Sequence, residues 1–197
     1  FGPPAPGFKA GPYGDAAALA AALGPNTCGV LLEPIQGEAG VAIPKPGWLK
    51  AGGEHCRKAK VPLCLDEIQT GLGRTGRMFC WEHEGVKPDL MTLGKALSGG
   101  LYPVSAVVGK DDILGLFTPG THGSTFGGSP LACAVASAAL DVIVDEELAE
   151  RAAELGVYFL ERLGGLRHPR IKEIRGLGLF CAIEFRELVA KEFCEHL

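Results

Sequence analysis

The chain has 197 residues, 47% of them hydrophobic and 21% charged, with a formal net charge of -4. That length and apolar content support one large domain, or one domain with part of another. The mild acidity argues against a nucleic-acid or membrane-surface role, and no apolar run is long enough to span a bilayer.

Residue 1 is Phe1, and the chain opens in a loop rich in Gly and Pro; residues 190–197 read as a helix without a stop signal. Both ends are those expected of a piece of a longer protein. Asp15 is placed to cap an alanine-rich helix over 16–23 that stops at Gly24-Pro25. An apolar strand over 28–32 runs into Glu33-Pro34-Ile35-Gln36-Gly37-Glu38. A Gly- and Pro-rich loop follows over 37–46, then a helix over 48–59. A second apolar strand, 61–65, ends in Asp66-Glu67. A glycine-rich loop over 71–77 leads to the strand 90–93, which stops at Gly94-Lys95 before Gly99-Gly100. Another apolar strand spans 104–108. The small-residue loop 122–129 precedes a long helix over 130–144, with Pro130 in a favoured first-turn position.

Beyond Asp145 the character changes. An amphipathic helix over 146–163 is followed by strands over 171–175 and 179–185. The short, continuously apolar strands separated by helices predict an α/β domain over 1–145, with a mostly parallel sheet carrying helices on both faces. Residues 146–197 read as a connecting helix and the beginning of a small α+β C-terminal domain. The seven cysteines (Cys28, Cys56, Cys64, Cys80, Cys133, Cys181 and Cys194) show no Cys-x-x-Cys spacing. They read as buried free thiols of a reducing, cytoplasmic-type compartment, or of a mitochondrial matrix if the source is eukaryotic.

In open α/β sheets, ligands sit beyond the carboxyl ends of the strands. Glu33, Asp66 and Lys95 all fall there. A lysine between a buried strand and a glycine-rich turn has its stem packed and its amine near the top of the sheet, where it acts as a nucleophile toward carbonyls; the alternative is a surface lysine. Asp66 is a carboxylate in search of a partner, such as a pyridinium nitrogen, or a turn cap. Gln69 offers an amide to a ring oxygen or to solvent. Ser124 and Thr125 place hydroxyls before a helix N-terminus, where phosphate binds well, or make a tight turn. Glu38 pairs with an arginine or a substrate amine, or is an exposed acid. Gly176-Leu177-Gly178 lacks the strand-to-helix context of a dinucleotide fingerprint. No metal-ligand spacing and no nucleophile elbow is present.

Four motifs in order, Glu33-Pro34-Ile35-Gln36-Gly37-Glu38-Ala39-Gly40, Asp66-Glu67-Ile68-Gln69-Thr70-Gly71 with Gly73-Arg74-Thr75-Gly76, Gly94-Lys95-Ala96-Leu97-Ser98-Gly99-Gly100, and His122-Gly123-Ser124-Thr125, resemble the class III, fold-type-I pyridoxal-phosphate aminotransferases. The run from Ser98-Gly99-Gly100-Leu101-Tyr102-Pro103 to Val107 resembles the members that act on ornithine. The resemblance covers nearly all of residues 1–163 and loosens after Phe185.

The resemblance implies a partial fold-type-I large domain, pyridoxal 5'-phosphate as cofactor, and small amino-acid and 2-oxo-acid substrates. It makes Lys95 the Schiff-base lysine, Asp66 the pyridinium partner and Gln69 the residue at the ring hydroxyl. Thr125, beside Ser124, would reach the phosphate of a neighbouring subunit, in a homodimer with shared sites. Glu38 would pair with an arginine beyond Leu197 and gate the substrates, with Glu33 in support. It also implies that the chain's own-subunit phosphate loop precedes Phe1, so the segment alone would be inactive. Transfer from acetylornithine or 4-aminobutyrate, and a non-catalytic truncated remnant, are the alternatives.

Overall fold

The computed structural model describes residues 3–187 and 194–195 of the 197. The expected helix over 190–197 therefore lies largely outside the described residues. Helix α1 (Ala16–Ala22) starts where the Asp15 carboxylate accepts the Ala18 amide at 2.9 Å, filling an N–H that the helix itself leaves unpaired. Strand β1 is Val30–Leu32, helix α2 Trp48–Ala59, strand β2 Leu63–Asp66, strand β3 Leu90–Leu93 and strand β4 Ala106–Gly109. Helix α3 (Asp111–Leu114) is a single turn, α4 spans Pro130–Asp145 and α5 spans Leu148–Gly164. Strands β5 (Ile171–Leu177) and β6 (Phe180–Phe185) form an antiparallel hairpin of their own.

The first four strands make one sheet in the order β1-β2-β3-β4, parallel except for β4. In-register pairs put Val30, Leu63, Leu65, Met91, Leu93 and Ala106 on one face. On that face Leu63 and Leu65 pack with Trp48, Leu49 and Cys56 of α2, and Met91 and Leu93 pack with Leu97 and with Ile143 of α4. The opposite face carries Leu31, Cys64, Asp66, Leu90, Thr92 and Val107; Leu31 is 61% exposed and Val107 56%. The described residues thus supply one of the two helical layers expected, and on the second face Leu31 and Val107 stay exposed among them.

Helix α2 has no capping side chain of its own. Its N-terminus is held from a distance by Glu84, whose carboxylate accepts the amides of Gly47 at 3.0 Å and Lys50 at 2.8 Å, an anion where the helix dipole favours one. The thiols divide differently from expectation: Cys56 and Cys80 are buried, but Cys28, Cys133 and Cys194 are exposed, because they stand outside the strands and helix faces that reach the core. Among the described residues no helix is long and apolar enough to cross a membrane.

Candidate active site

Because β1, β2 and β3 run parallel, Glu33, Asp66 and Lys95 share one edge of the sheet. Asp66 is the last residue of β2 and pairs in register with Thr92 of β3. One Asp66 oxygen, Oδ1, accepts the Ile68 amide at 3.0 Å, so the turn-cap role is real and occupies only one side of the carboxylate. Beside it the Thr92 hydroxyl is buried and has no hydrogen-bond partner. A buried orphan hydroxyl is uncommon and calls for an explanation, such as a missing ligand.

Lys95 follows β3 by two residues and opens a 3-10 turn, Lys95–Ser98. Its side chain is exposed rather than packed along its stem as expected. Within the turn Leu97 and Ser98 take the buried positions, while Gly94 lies against Ile68, with a Cβ position 3.4 Å from Ile68 Cγ2. Lys95 itself sits at φ 45°, in the left-handed region. A non-glycine residue held there costs on the order of 1–3 kcal/mol, and such residues cluster at active sites.

Glu67, directly after Asp66, was not singled out by its sequence context. It is 1% exposed and accepts three hydrogen bonds: Thr70 Oγ1 at 2.5 Å, the Cys80 amide at 3.1 Å and the Trp81 amide at 2.9 Å. Burial pushes its pKa up, against the pull of those donors. The carboxylate ties the end of β2 to the segment 80–81 and so fixes the turn that presents Asp66 and Gln69.

Gln69 lies flat against Gly37, where a Cβ would fall 2.4 Å from its Oε1. Its Nε2 donates to Glu38 Oε1 at 3.2 Å. Glu33 Oε2 accepts the Gly37 amide at 3.2 Å. The structure therefore gathers Glu33, Glu38, Gln69 and Asp66 at one rim, with Gln69 directed to Glu38. A Cβ at position 37 would push the Gln69 amide away from Glu38, so the glycine between Gln36 and Glu38 leaves room for that contact.

Ser124 and Thr125 make no bond to this group. Both are exposed, in the loop ahead of α4, and among the described residues neither hydroxyl makes a hydrogen bond. The N-cap of α4, Ser129, provides no side-chain bond either. The same segment exposes Leu116 (77%) and Phe126 (79%). Among the described residues no hydrogen bond ties Ser124 or Thr125 to the rim residues Glu33, Glu38, Asp66 and Gln69.

Comparison with known proteins gives this geometry a family. The profile of the family Aminotransferase class-III matches residues 13–197. An ornithine aminotransferase of Geobacillus sp. (strain WCH70) is 55% identical over all 197 residues, which are 49% of its own length. A solved ornithine aminotransferase from Toxoplasma gondii, with partial occupancy of PLP at its active site, superposes with a TM-score of 0.91 at 53% identity, over 94% of this chain and 44% of that one. An acetylornithine aminotransferase from Elizabethkingia anophelis superposes with a TM-score of 0.92 at 48% identity, over 97% of this chain and 49% of its own. The chain spans about half the length of the relatives it matches, and the alignment continues past Phe185, where the motif resemblance loosened. With its mostly parallel sheet and its polar residues at the strands' carboxyl ends, the chain belongs to the class III aminotransferases.

Proposed function

We propose that this chain is the lysine-bearing half of a pyridoxal-phosphate-dependent transaminase that moves the δ-amino group of ornithine to 2-oxoglutarate, giving glutamate 5-semialdehyde and glutamate. The observation that carries the reading is the pairing of Asp66 and the orphaned Thr92 hydroxyl on one face, with Lys95 two residues past the end of the strand that carries Thr92. That donor set fits the cofactor: a half-used carboxylate for a protonated ring nitrogen, a free hydroxyl beside it, and a primary amine for the aldehyde. Bound there, pyridoxal phosphate supplies an electron sink for the carbon that carries the transferred nitrogen.

The chain's own residues do the rest. The Asp66 oxygen not engaged by Ile68 keeps the proton on the ring nitrogen. Lys95 Nζ tethers the cofactor and carries the proton to and from the reacting carbon. Gln69 and Glu33 hold the 37–38 segment, and Glu38 presents a carboxylate to a substrate cation. Ser124 and Thr125, exposed and with unengaged hydroxyls, would serve a phosphate held across a subunit boundary, and the exposed Leu116 and Phe126 of the same segment would supply apolar surface for a homodimer contact. We place the boundary between the large and small domains at 145/146, where α4 ends and Glu147 turns the chain at φ 50°.

The ornithine reading is supported by relatives named ornithine aminotransferase at 52–55% identity; among solved structures an ornithine enzyme of Plasmodium falciparum and the acetylornithine one both stand at 48%. A donor panel on the full-length protein tests it. Ornithine should outperform acetylornithine and 4-aminobutyrate, each with 2-oxoglutarate as acceptor. Preference for either of the others would move the chain to a sister enzyme. No transfer from any donor would make it a non-catalytic relative.

A further inference from the structure

Arg175 of β5 is the most heavily bonded cation among the described residues, and no step above uses it. Its Nε donates to the carbonyls of Gly40 at 3.0 Å and Val41 at 3.1 Å, and its Nη2 donates to Gly40 O at 2.6 Å. Its Nη1 pairs with Glu184 at 2.6 Å and Glu173 at 3.0 Å. Lys172 also pairs with Glu184, on the other carboxylate oxygen. The guanidinium is thus anchored on its own hairpin and reaches across to a loop 134 residues away in sequence.

That loop is strained. Gln36 and Ala42 pair across it, and the amides of Gly40 and Val41 both donate to Gly37 O, at 2.9 and 3.0 Å. Val41 sits at φ 53°, a left-handed conformation that a β-branched residue adopts only when its surroundings impose it. Two things impose it. The Val41 side chain is buried with Ile35 and Cys80 against Leu177, Phe180 and Ala182 of the β5–β6 hairpin. The Arg175 guanidinium holds the two carbonyls that the left-handed turn points outward. Glu38 rides on this loop, and its side chain accepts from Gln69 Nε2 at 3.2 Å. Its position is inherited from the turn beneath it.

We propose that Arg175 is a positioning residue: by clamping the Gly40–Val41 turn it sets where the Glu38 carboxylate meets the cationic end of the amino donor. The proposal rests on the donor reading of Glu38 given above. It makes the small-domain hairpin, through one side chain, a determinant of donor selectivity at the large-domain rim.

The test is a double-mutant cycle in the full-length protein. Arg175→Met keeps the length and removes every donor; Glu38→Gln removes the charge on the loop. Arg175→Met should raise KM for ornithine by about tenfold with a smaller change in kcat, and lower the preference for ornithine over 4-aminobutyrate by a similar factor. In the Glu38→Gln background the same substitution should change that preference by less than about threefold. The absorption of the bound cofactor should not move. By hydrogen exchange, the amides of Gly40 and Val41 should exchange about tenfold faster in Arg175→Met, with α2 unchanged. Glu184→Gln, which loosens the anchor but leaves the guanidinium, should show the same changes at a smaller size.

Equal effects of Arg175→Met in both backgrounds, or unchanged exchange at Gly40 and Val41, would overturn the proposal. If the parent protein transfers nitrogen from no donor, the functional reading fails instead, and the exchange measurement still decides whether Arg175 clamps the turn.

Discussion

Replacing Glu67 by Gln changes one buried oxygen for an NH2 group and asks how much the rim depends on that carboxylate. Glu67 Oε2 takes Thr70 Oγ1 and the Cys80 amide, and Oε1 takes the Trp81 amide. A glutamine has one acceptor oxygen. Placed toward Trp81, it leaves the Cys80 N–H facing an NH2 group, although the Thr70 hydroxyl can turn to accept. Placed the other way, it leaves the Trp81 N–H unpaired. Either choice orphans one buried backbone donor, which costs about 1–3 kcal/mol. The pH dependence follows from the direction of the shift. Burial raises the Glu67 pKa above its ordinary 4.5 in the fold, so the folded state holds the proton more tightly than the unfolded chain. Stability from this group is complete below the unfolded value and is lost as pH rises toward the raised folded value. The Glu67→Gln variant does not titrate here, so the parent's advantage should be largest at acid pH and narrow as pH rises. Urea unfolding of the full-length protein, followed by tryptophan fluorescence across a pH series, reads both the size and the trend. A neutral-pH loss under about 0.5 kcal/mol, or a gap that widens with pH, would refute the reasoning.

The same neighbourhood predicts thiol reactivity. Cys80 is buried, and burial followed by the Glu67 charge pushes its thiol up to about 12. At about pH 8 iodoacetamide should label the exposed Cys28 and leave Cys80 untouched by mass spectrometry of the native protein, since only the thiolate reacts; labelling of Cys80 first would contradict its placement. Packing at the domain junction gives a further test. A Cβ on Gly156 of α5 would fall 2.3 Å from the Gly178 carbonyl oxygen, whereas one on Gly164 meets nothing within 4 Å. Gly156→Ala should therefore lose about 1–3 kcal/mol by urea unfolding, while Gly164→Ala stays within about 1 kcal/mol of the parent. Equal effects would mean that α5 and the 177–180 turn do not meet as described.

The elements most legible in the sequence are those whose apolar pattern and stop signals agree. Helix α2 runs over Trp48–Ala59 and strand β3 over Leu90–Leu93, as their patterns dictate, with Lys60 at φ 55° and Gly94 as the breaks. Strand ends were less legible: β1 and β2 each begin two residues later than their apolar runs, because an apolar residue outside the hydrogen-bonded ladder looks the same in sequence. The antiparallel sense of β4 carries no local mark. At the rim, placement at strand ends pointed to Glu33, Asp66 and Lys95. What failed was the environment of Lys95: a packed stem was inferred from the strand before it, but the left-handed turn at Lys95 itself sends the side chain outward. Glu67 and Arg175 were missed for one reason. Their partners lie at Cys80–Trp81 and at Gly40–Val41, far away in sequence, and no spacing rule links an acid or a base to a backbone amide or carbonyl that only the fold brings near.

The central claim is that Lys95 tethers the cofactor at the rim shared with Asp66. Sodium borohydride reduction of the full-length protein with pyridoxal phosphate, followed by peptide mapping, tests it most directly. A single pyridoxyl group on the peptide containing Lys95, lost in Lys95→Ala, is the predicted result. A label on Lys87 or another lysine, or the same yield of label in the Lys95→Ala protein, would contradict it.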